Sequence, residues 1–347
     1  MSPDRFQEIT RKYASLRIGV VGDFCLDRYL EIDPAKQEIS IETGLPVHNV
    51  VNVRSQPGAA GTILNNLVAL GIGEIYPVGF AGEDGEGFEL RATLRNQRGV
   101  RLYHFWKTDQ RRTFTYCKPL VVEAGKPPLE LNRFDSKNWT PTPALLQGRL
   151  IDSAANVAAD SDAMILMDQV DLPETGVITS KLLEAMSCIV RQIPELPIVA
   201  DSRRGLRGYP PVCLKMNSAE LSALASCPDH AQLEELKAVA AMLARKQGRH
   251  VFVTLSERGI LGASHEGRVE YVPAFPVRGP IDIVGAGDAV TANLTAALAA
   301  GAALREVMEI AMAAASVVIH QLGTTGTASV HQIRSVLESG ASQCGVP

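Results

Sequence analysis

Ile281-Asp282-Ile283-Val284-Gly285-Ala286-Gly287-Asp288 runs straight into an alanine-rich stretch from Ala289 to Ala300. Gly285 and Gly287 remove side chains where the chain turns into a helix, so backbone N–H groups can face an anion at the positive end of the helix dipole. The turn reads as a phosphate or oxyanion cradle built from Gly285, Ala286 and Gly287. Asp288 falls just inside the helix start, where an ionised carboxylate is favoured and can accept a proton from a substrate hydroxyl. A plain tight turn with an acid in the first helical turn fits the same eight residues. The rest of the chain decides between them.

A chain of 347 residues with 46% hydrophobic content can bury a sizeable core, as one large α/β domain or two smaller ones. A net charge of -4 gives no basic footprint for nucleic acid, and 5% aromatic residues leave few stacking platforms for single strands. Cys25, Cys117, Cys188, Cys213, Cys227 and Cys344 form no C-x-x-C pair, which argues against a zinc knuckle or disulfide framework and for reduced, mostly buried thiols. The seven histidines show no ligand spacing. The mixed-charge start from Asp4 to Lys12 has no apolar signal region, and no apolar run approaches the ~18 residues of a membrane span. The expected setting is the cytoplasm, with no membrane or nucleic-acid partner.

Outward from the cradle, short apolar runs alternate with helical spacing. Arg17 to Gly22, Ile75 to Gly82, Ala163 to Met167, Pro197 to Ala200, Cys213 to Met216 and His250 to Leu255 read as buried strands. Helices are expected between them, including Thr142 to Asp160, Thr175 to Ile193 and Gln232 to Lys246. Strand and helix in alternation give a doubly wound, mainly parallel α/β sheet. Asp23, Asp168, Asp201 and Asn217 recur at strand ends, where such sheets bind ligands. Pro57-Gly58-Ala59-Ala60-Gly61 is a second small-residue turn, expected to open a helix. Two stretches alternate apolar and polar residues, within 30–55 and 104–135, and together predict a small β lid on one domain spanning 1–347.

These segments carry a family likeness. The sequence resembles the ribokinase or PfkB family of ATP-dependent sugar kinases over nearly its whole length. Gly79-Phe80-Ala81-Gly82-Glu83-Asp84-Gly85-Glu86-Gly87 matches the early Gly-x-x-Gly-x-Asp-x-x-Gly signature well, and Gly58-Ala59-Ala60-Gly61 matches the Gly-Gly turn in part. Asp282 to Asp288 matches the late Asp-Thr-x-Gly-Ala-Gly-Asp signature, with Asn217-Ser218-Ala219-Glu220 as an Asn-x-x-Glu element. Within the family it is most similar to the kinase half of the heptose-phosphate kinase/adenylyltransferases, on Gly22-Asp23, Leu26-Asp27-Arg28-Tyr29, Arg133-Phe134-Asp135 and Leu322-Gly323-Thr324. The adenylyltransferase half is expected to be absent. Thr62 stands where many relatives have a sugar-binding Asn, Ala59 replaces a Gly, Val284 replaces a Thr, and Tyr116 stands where the heptose branch tends to be basic.

The resemblance implies a kinase transferring the ATP γ-phosphoryl group to a hydroxyl of a sugar or sugar phosphate. Heptose 7-phosphate at its anomeric position is one such acceptor; fructose, ribose or a nucleoside is an alternative, as is a non-catalytic binding protein. It makes Asp288 the base, with Gly285, Ala286 and Gly287 the anion hole. It places Asp27, Gly58, Ala59, Thr62 and Lys118 at the sugar, and Asn217, Glu220, Thr254, Ser256, Gly259, Gly323 and Thr324 at the nucleotide. Glu220 would hold Mg²⁺ through water, although Asn217 and Glu220 also have the spacing of a simple helix cap. Asp282 marks a monovalent-cation position, for K⁺, weakened by Val284. Arg111 and Arg112 are expected beside Lys118 to favour an acidic acceptor, unless all three are exposed edge charges. The lid is expected to join two chains as a homodimer.

Overall fold

The computed structural model describes residues 1–226 and 232–343; Cys227, His230 and Cys344 lie outside them. Nine strands form the central sheet, in the spatial order Val269–Val272, Ile260–Ala263, Val251–Thr254, Cys213–Asn217, Ile198–Ser202, Ala163–Asp168, Arg17–Gly22, Glu74–Gly82, Phe105–Thr108. From Val251–Thr254 to Phe105–Thr108 every neighbour is parallel, and the other two strands close the far edge antiparallel. Parallel strands are covered on both faces. This explains why all six residues of Ala163–Asp168 are buried and why the strands read as continuous apolar runs.

The Ala286–Ala299 helix packs against both Leu304–Val318 and Ala60–Ala69. It is buried from Ala289 to Ala297, and its alanines let those neighbours approach closely. The helix Ala60–Ala69 begins later than the sequence suggests, because Pro57, Gly58 and Ala59 finish a strand. The helices over 144–160 and 180–192 are likewise shorter at their starts than expected, each beginning at a Pro or Thr cap. No helix among the described residues is long and apolar enough to cross a membrane.

A second sheet stands over the C-terminal ends of the parallel strands. It orders Phe134–Ser136, Phe114–Val121, Phe24–Ile32 and Val50–Ala59, with Leu129–Glu130 added to Phe114–Val121. Phe105–Thr108 belongs instead to the edge of the central sheet. Phe24–Ile32 follows the central strand Arg17–Gly22 after Asp23 alone, so the lid is anchored directly on the core. Of the cysteines described, Cys25 and Cys213 are buried, Cys117 is half-buried and Cys188 is exposed; all four are free.

Candidate active site

Gly285 adopts φ 83°, the left-handed region glycine enters without strain, and caps the Ala286–Ala299 helix. A Cβ on Gly287 would lie 3.2 Å from Lys215 Nζ, so the missing side chain brings a buried ammonium close beneath the turn. The three-amide cradle needs one correction: the Ala286 N–H donates to the Ile283 carbonyl at 3.2 Å. Gly287 and Asp288, in the first helical turn, supply the amides that have no intrahelical partner.

Asp288 is half-buried and faces a cleft of about 230 Å³ between the helix start and the lid. Burial first, then the Asp201 carboxylate, push its carboxyl up to about 7, while Lys215 pulls the other way. Water reaching it from the open cleft moderates the push, but the direction suits a base that must hold a proton transiently near neutral pH.

Sequence reasoning missed the group beneath it. Lys215 Nζ lies 2.7 Å from Asp201 Oδ2, and the Thr291 hydroxyl donates to the same oxygen at 2.8 Å. Burial opposes the charge on Lys215, but Asp201 more than offsets it, and Asp288 and Glu220 add to the attraction, leaving its pKa above the ordinary value. The sequence signals were a lysine inside the apolar run Cys213 to Met216 and Asp201 at a strand end. Asp23 and Asp168, the other strand-end acids, are tied into the scaffold. Asp23 accepts from the amides of Gln169, Val170 and Val177, and Asp168 pairs with Arg204 at 2.8 Å.

On the lid side of the cleft one row crosses the second sheet. Gln56 pairs with Asp27, Asp27 with Tyr116 and Tyr116 with Asp135 in the registers of three strand pairs. Asp27, Ala59, Thr62, Tyr116, Lys118 and Val284 line the cleft with Asp288. Gly58 lies beside them, and a Cβ there would fall 2.6 Å from an Asp27 carboxylate oxygen and displace that carboxylate. Burial raises the Asp27 pKa, and Lys118 and Arg133 oppose the rise. Lys118 sits 3.9 Å from Asp27 and lies over the Tyr29 ring at 4.9 Å.

Arg111 and Arg112, expected beside Lys118, do not line the cleft. Arg111 is buried against Thr140 and the Pro141 carbonyl, and Arg112 pairs with Glu86 at 3.6 Å. The cleft takes its other cations from Arg133, Lys137 and Arg203. Each is paired: Arg133 with Asp135 at 3.1 Å, Lys137 with Asp171 at 2.8 Å and Arg203 with Asp171 at 3.3 Å.

Asn217 and Thr254 are register neighbours at the ends of adjacent strands, beside the cleft rather than in its lining. Asn217 and Glu220 form a reciprocal capping box, with Glu220 Oε2 accepting from the Asn217 N–H at 2.7 Å and Asn217 Oδ1 from the Glu220 N–H at 2.9 Å. The cap accounts for their spacing and engages one of the two Glu220 carboxylate oxygens. Ser256 has φ 53° and Gly259 φ 112°, where a Cβ would meet the Val272 carbonyl at 2.1 Å. Asp282 accepts from the Val284 and Gly323 amides at 3.0 and 3.2 Å, drawing the loop of Gly323 and Thr324 to the cradle.

The profile of a family described as pfkB family carbohydrate kinase matches residues 20–330. The bifunctional protein HldE of Gluconobacter oxydans is 30% identical over 93% of this chain, and that of Azorhizobium caulinodans 30% identical over 95%. The chain spans 64% and 66% of the length of these two relatives. Among solved structures, Arabidopsis thaliana ribokinase complexed with ribose and ATP superposes with a TM-score of 0.67 at 20% identity, over 93% of this chain and 99% of that one. Escherichia coli phosphofructokinase-2 in complex with substrates and products gives 0.70 at 19% identity, over 93% and 99%. At these identities the structures establish a shared fold.

Proposed function

The chain belongs to the pfkB family of carbohydrate kinases, and on that premise we propose that it transfers the γ-phosphoryl group of ATP to a hydroxyl of a sugar or sugar phosphate. The observation that carries this reading is Asp288, half-buried on the cleft at a helix start, with its carboxyl pushed up to about 7. Deprotonated Asp288 takes the proton of the acceptor hydroxyl as its oxygen attacks the γ-phosphorus. The β–γ bridging bond breaks and ADP leaves with the electron pair. The Gly287 and Asp288 amides and the Lys215 ammonium face the charge that spreads over the transferring group. Asp27, with Gly58, Ala59 and Thr62 beside it, orients the acceptor so that attack is in line.

Thr254, Ser256, Gly259, Gly323 and Thr324 form the nucleotide side of this reading. Among the described residues no cluster of three or more His, Cys, Asp or Glu could enclose a metal. Glu220 beside Asn217 fits an ion held chiefly by phosphate oxygens and water, as Mg²⁺ commonly is. Bound there, Mg²⁺ would neutralise phosphate charge. Asp282, with its carboxylate fixed by two amides, is the K⁺ position in this proposal.

The specific acceptor we propose is heptose 7-phosphate, phosphorylated at its anomeric hydroxyl. Lys118, Arg133, Lys137 and Arg203 support an anionic acceptor, because a phosphate dianion can displace carboxylate partners from half-exposed cations. We also propose a homodimer through the lid, supported by exposed Ile39, Ile41, Leu45, Val50 and Val53, an apolar set that a small sheet cannot bury alone. The test is ATP consumption across sugars, sugar phosphates and nucleosides, with products mapped by phosphorus NMR. Turnover with a sugar phosphate and a new anomeric phosphate is expected. Failure to consume ATP with any acceptor of these classes would end the kinase reading.

A further inference from the structure

The acceptor row of the lid ends at Gln56, directly opposite Asp27 in the antiparallel ladder. Opposed residues of such a pair project from the same face, so Gln56 shares the face of Asp27. Its carboxamide leaves the sheet and bridges to the loop behind the cradle. Nε2 donates to the Thr325 hydroxyl at 2.5 Å, and Oε1 accepts from the Thr324 hydroxyl at 3.2 Å. Thr325 is buried, lines the acceptor cleft and lies against the cradle, since a Cβ on Gly285 would sit 3.3 Å from the Thr325 Cβ. The same loop is tied to the approach of the cradle by the Gly323 N–H on Asp282. Its far end is fixed separately: Gln321 bonds Thr327 through both the N–H and the carbonyl, and Asn66 reaches the Gly326 carbonyl at 3.4 Å.

We propose that Gln56 is a positioning residue that couples the acceptor-gripping row of the lid to the geometry of the phosphate cradle, through Thr324 and Thr325 onto Gly285. It is not part of the cleft lining that holds Asp288. Its effect belongs to the alignment step, so loss of the carboxamide lowers turnover while leaving the affinity of each substrate nearly intact. The coupling rests on the kinase reading for its kinetic consequence but not for its structural one.

The test has two arms. In kinetics with the best acceptor of the screen, Gln56→Leu is expected to lower kcat about tenfold with both KM values within about twofold. Gln56→Glu should retain most of the activity, because both threonine hydroxyls can donate to a carboxylate. Combining Gln56→Leu with Thr325→Val should be no worse than the poorer single variant, with thermal unfolding showing all variants folded. In the ligand-free protein, backbone amide NMR of Gln56→Leu should move the Gly285, Gly287 and Asp288 resonances as well as those of Thr324 and Thr325. Additive losses in kcat, or a Gln56→Glu variant as poor as Gln56→Leu, would overturn the proposal. So would amide shifts confined to the lid and residues 323–327. If no acceptor supports ATP consumption the kinase reading fails alone, and the amide shifts still decide whether lid and cradle are coupled.

Discussion

The two ends of the cleft hold charge in opposite ways. Beneath the cradle, Lys215 and Asp201 are both about nine-tenths buried and 2.7 Å apart, locked by Thr291 on the helix above. Around the acceptor, Arg133 and Arg203 are exposed, and their pairs with Asp135 and Asp171 lie where water competes. A buried pair keeps one geometry because leaving either charge alone is costly, whereas an exposed pair contributes little and exchanges partners readily. On the proposed reading, the fixed pair beneath the cradle serves a constant chemistry and the exchangeable pairs under the lid serve selection.

The largest effect should fall at the constant end. Asp288→Asn keeps the shape of the base but cannot take a proton, and kcat should drop by about 10²–10⁴ with ATP affinity nearly unchanged. The wild-type kcat/KM should fall as pH drops through about 7, where Asp288 becomes protonated and can no longer accept. That limb should vanish in the variant. Normal turnover by Asp288→Asn would remove the distinction between the two ends.

Lys215→Met leaves the Asp201 carboxylate buried without its cation, which typically costs about 3–5 kcal/mol. Chemical denaturation should show a loss of that order, partly restored in Lys215→Met combined with Asp201→Asn. A variant as stable as wild type would place the pair in the same class as the exposed ones.

On the outer lid, sedimentation velocity at micromolar concentration should find a dimer, and Ile41→Glu with Val53→Glu should yield monomer. A wild-type monomer would remove the dimer from the proposal. At the acceptor end, Lys118→Ala should raise KM for a sugar phosphate about tenfold more than for the unphosphorylated sugar, the loss of about one charge-assisted hydrogen bond. Equal changes for both would make Lys118 a packing residue over Tyr29.

The smallest effect belongs to Ala59, a non-glycine at φ 55° and ψ −117°. Ala59→Gly removes a strained left-handed alanine and should stabilise the fold by ~1 kcal/mol in thermal unfolding. No gain would mean that the strand end tolerates the side chain.

Much of this was determined by the sequence alone, because it depends on neighbours along the chain. Gly285-Ala286-Gly287-Asp288 before an alanine run dictates a helix start with an acid in its first turn, and the apolar runs between helices dictate a parallel sheet. Other features belong to the tertiary structure. Lys215, Asp201 and Thr291 meet only because adjacent parallel strands end beneath the Ala286–Ala299 helix. The sequence offers Arg111 as a companion of Lys118, yet the antiparallel pairing of Phe134–Ser136 with Phe114–Val121 brings Arg133 over the Tyr116 ring, while Arg111 turns inward to Thr140. Local spacing fixes the period of an element and the backbone conformations it needs. Which side chains face one another across the cleft is set by strand order and register, and these depend on how the whole core packs.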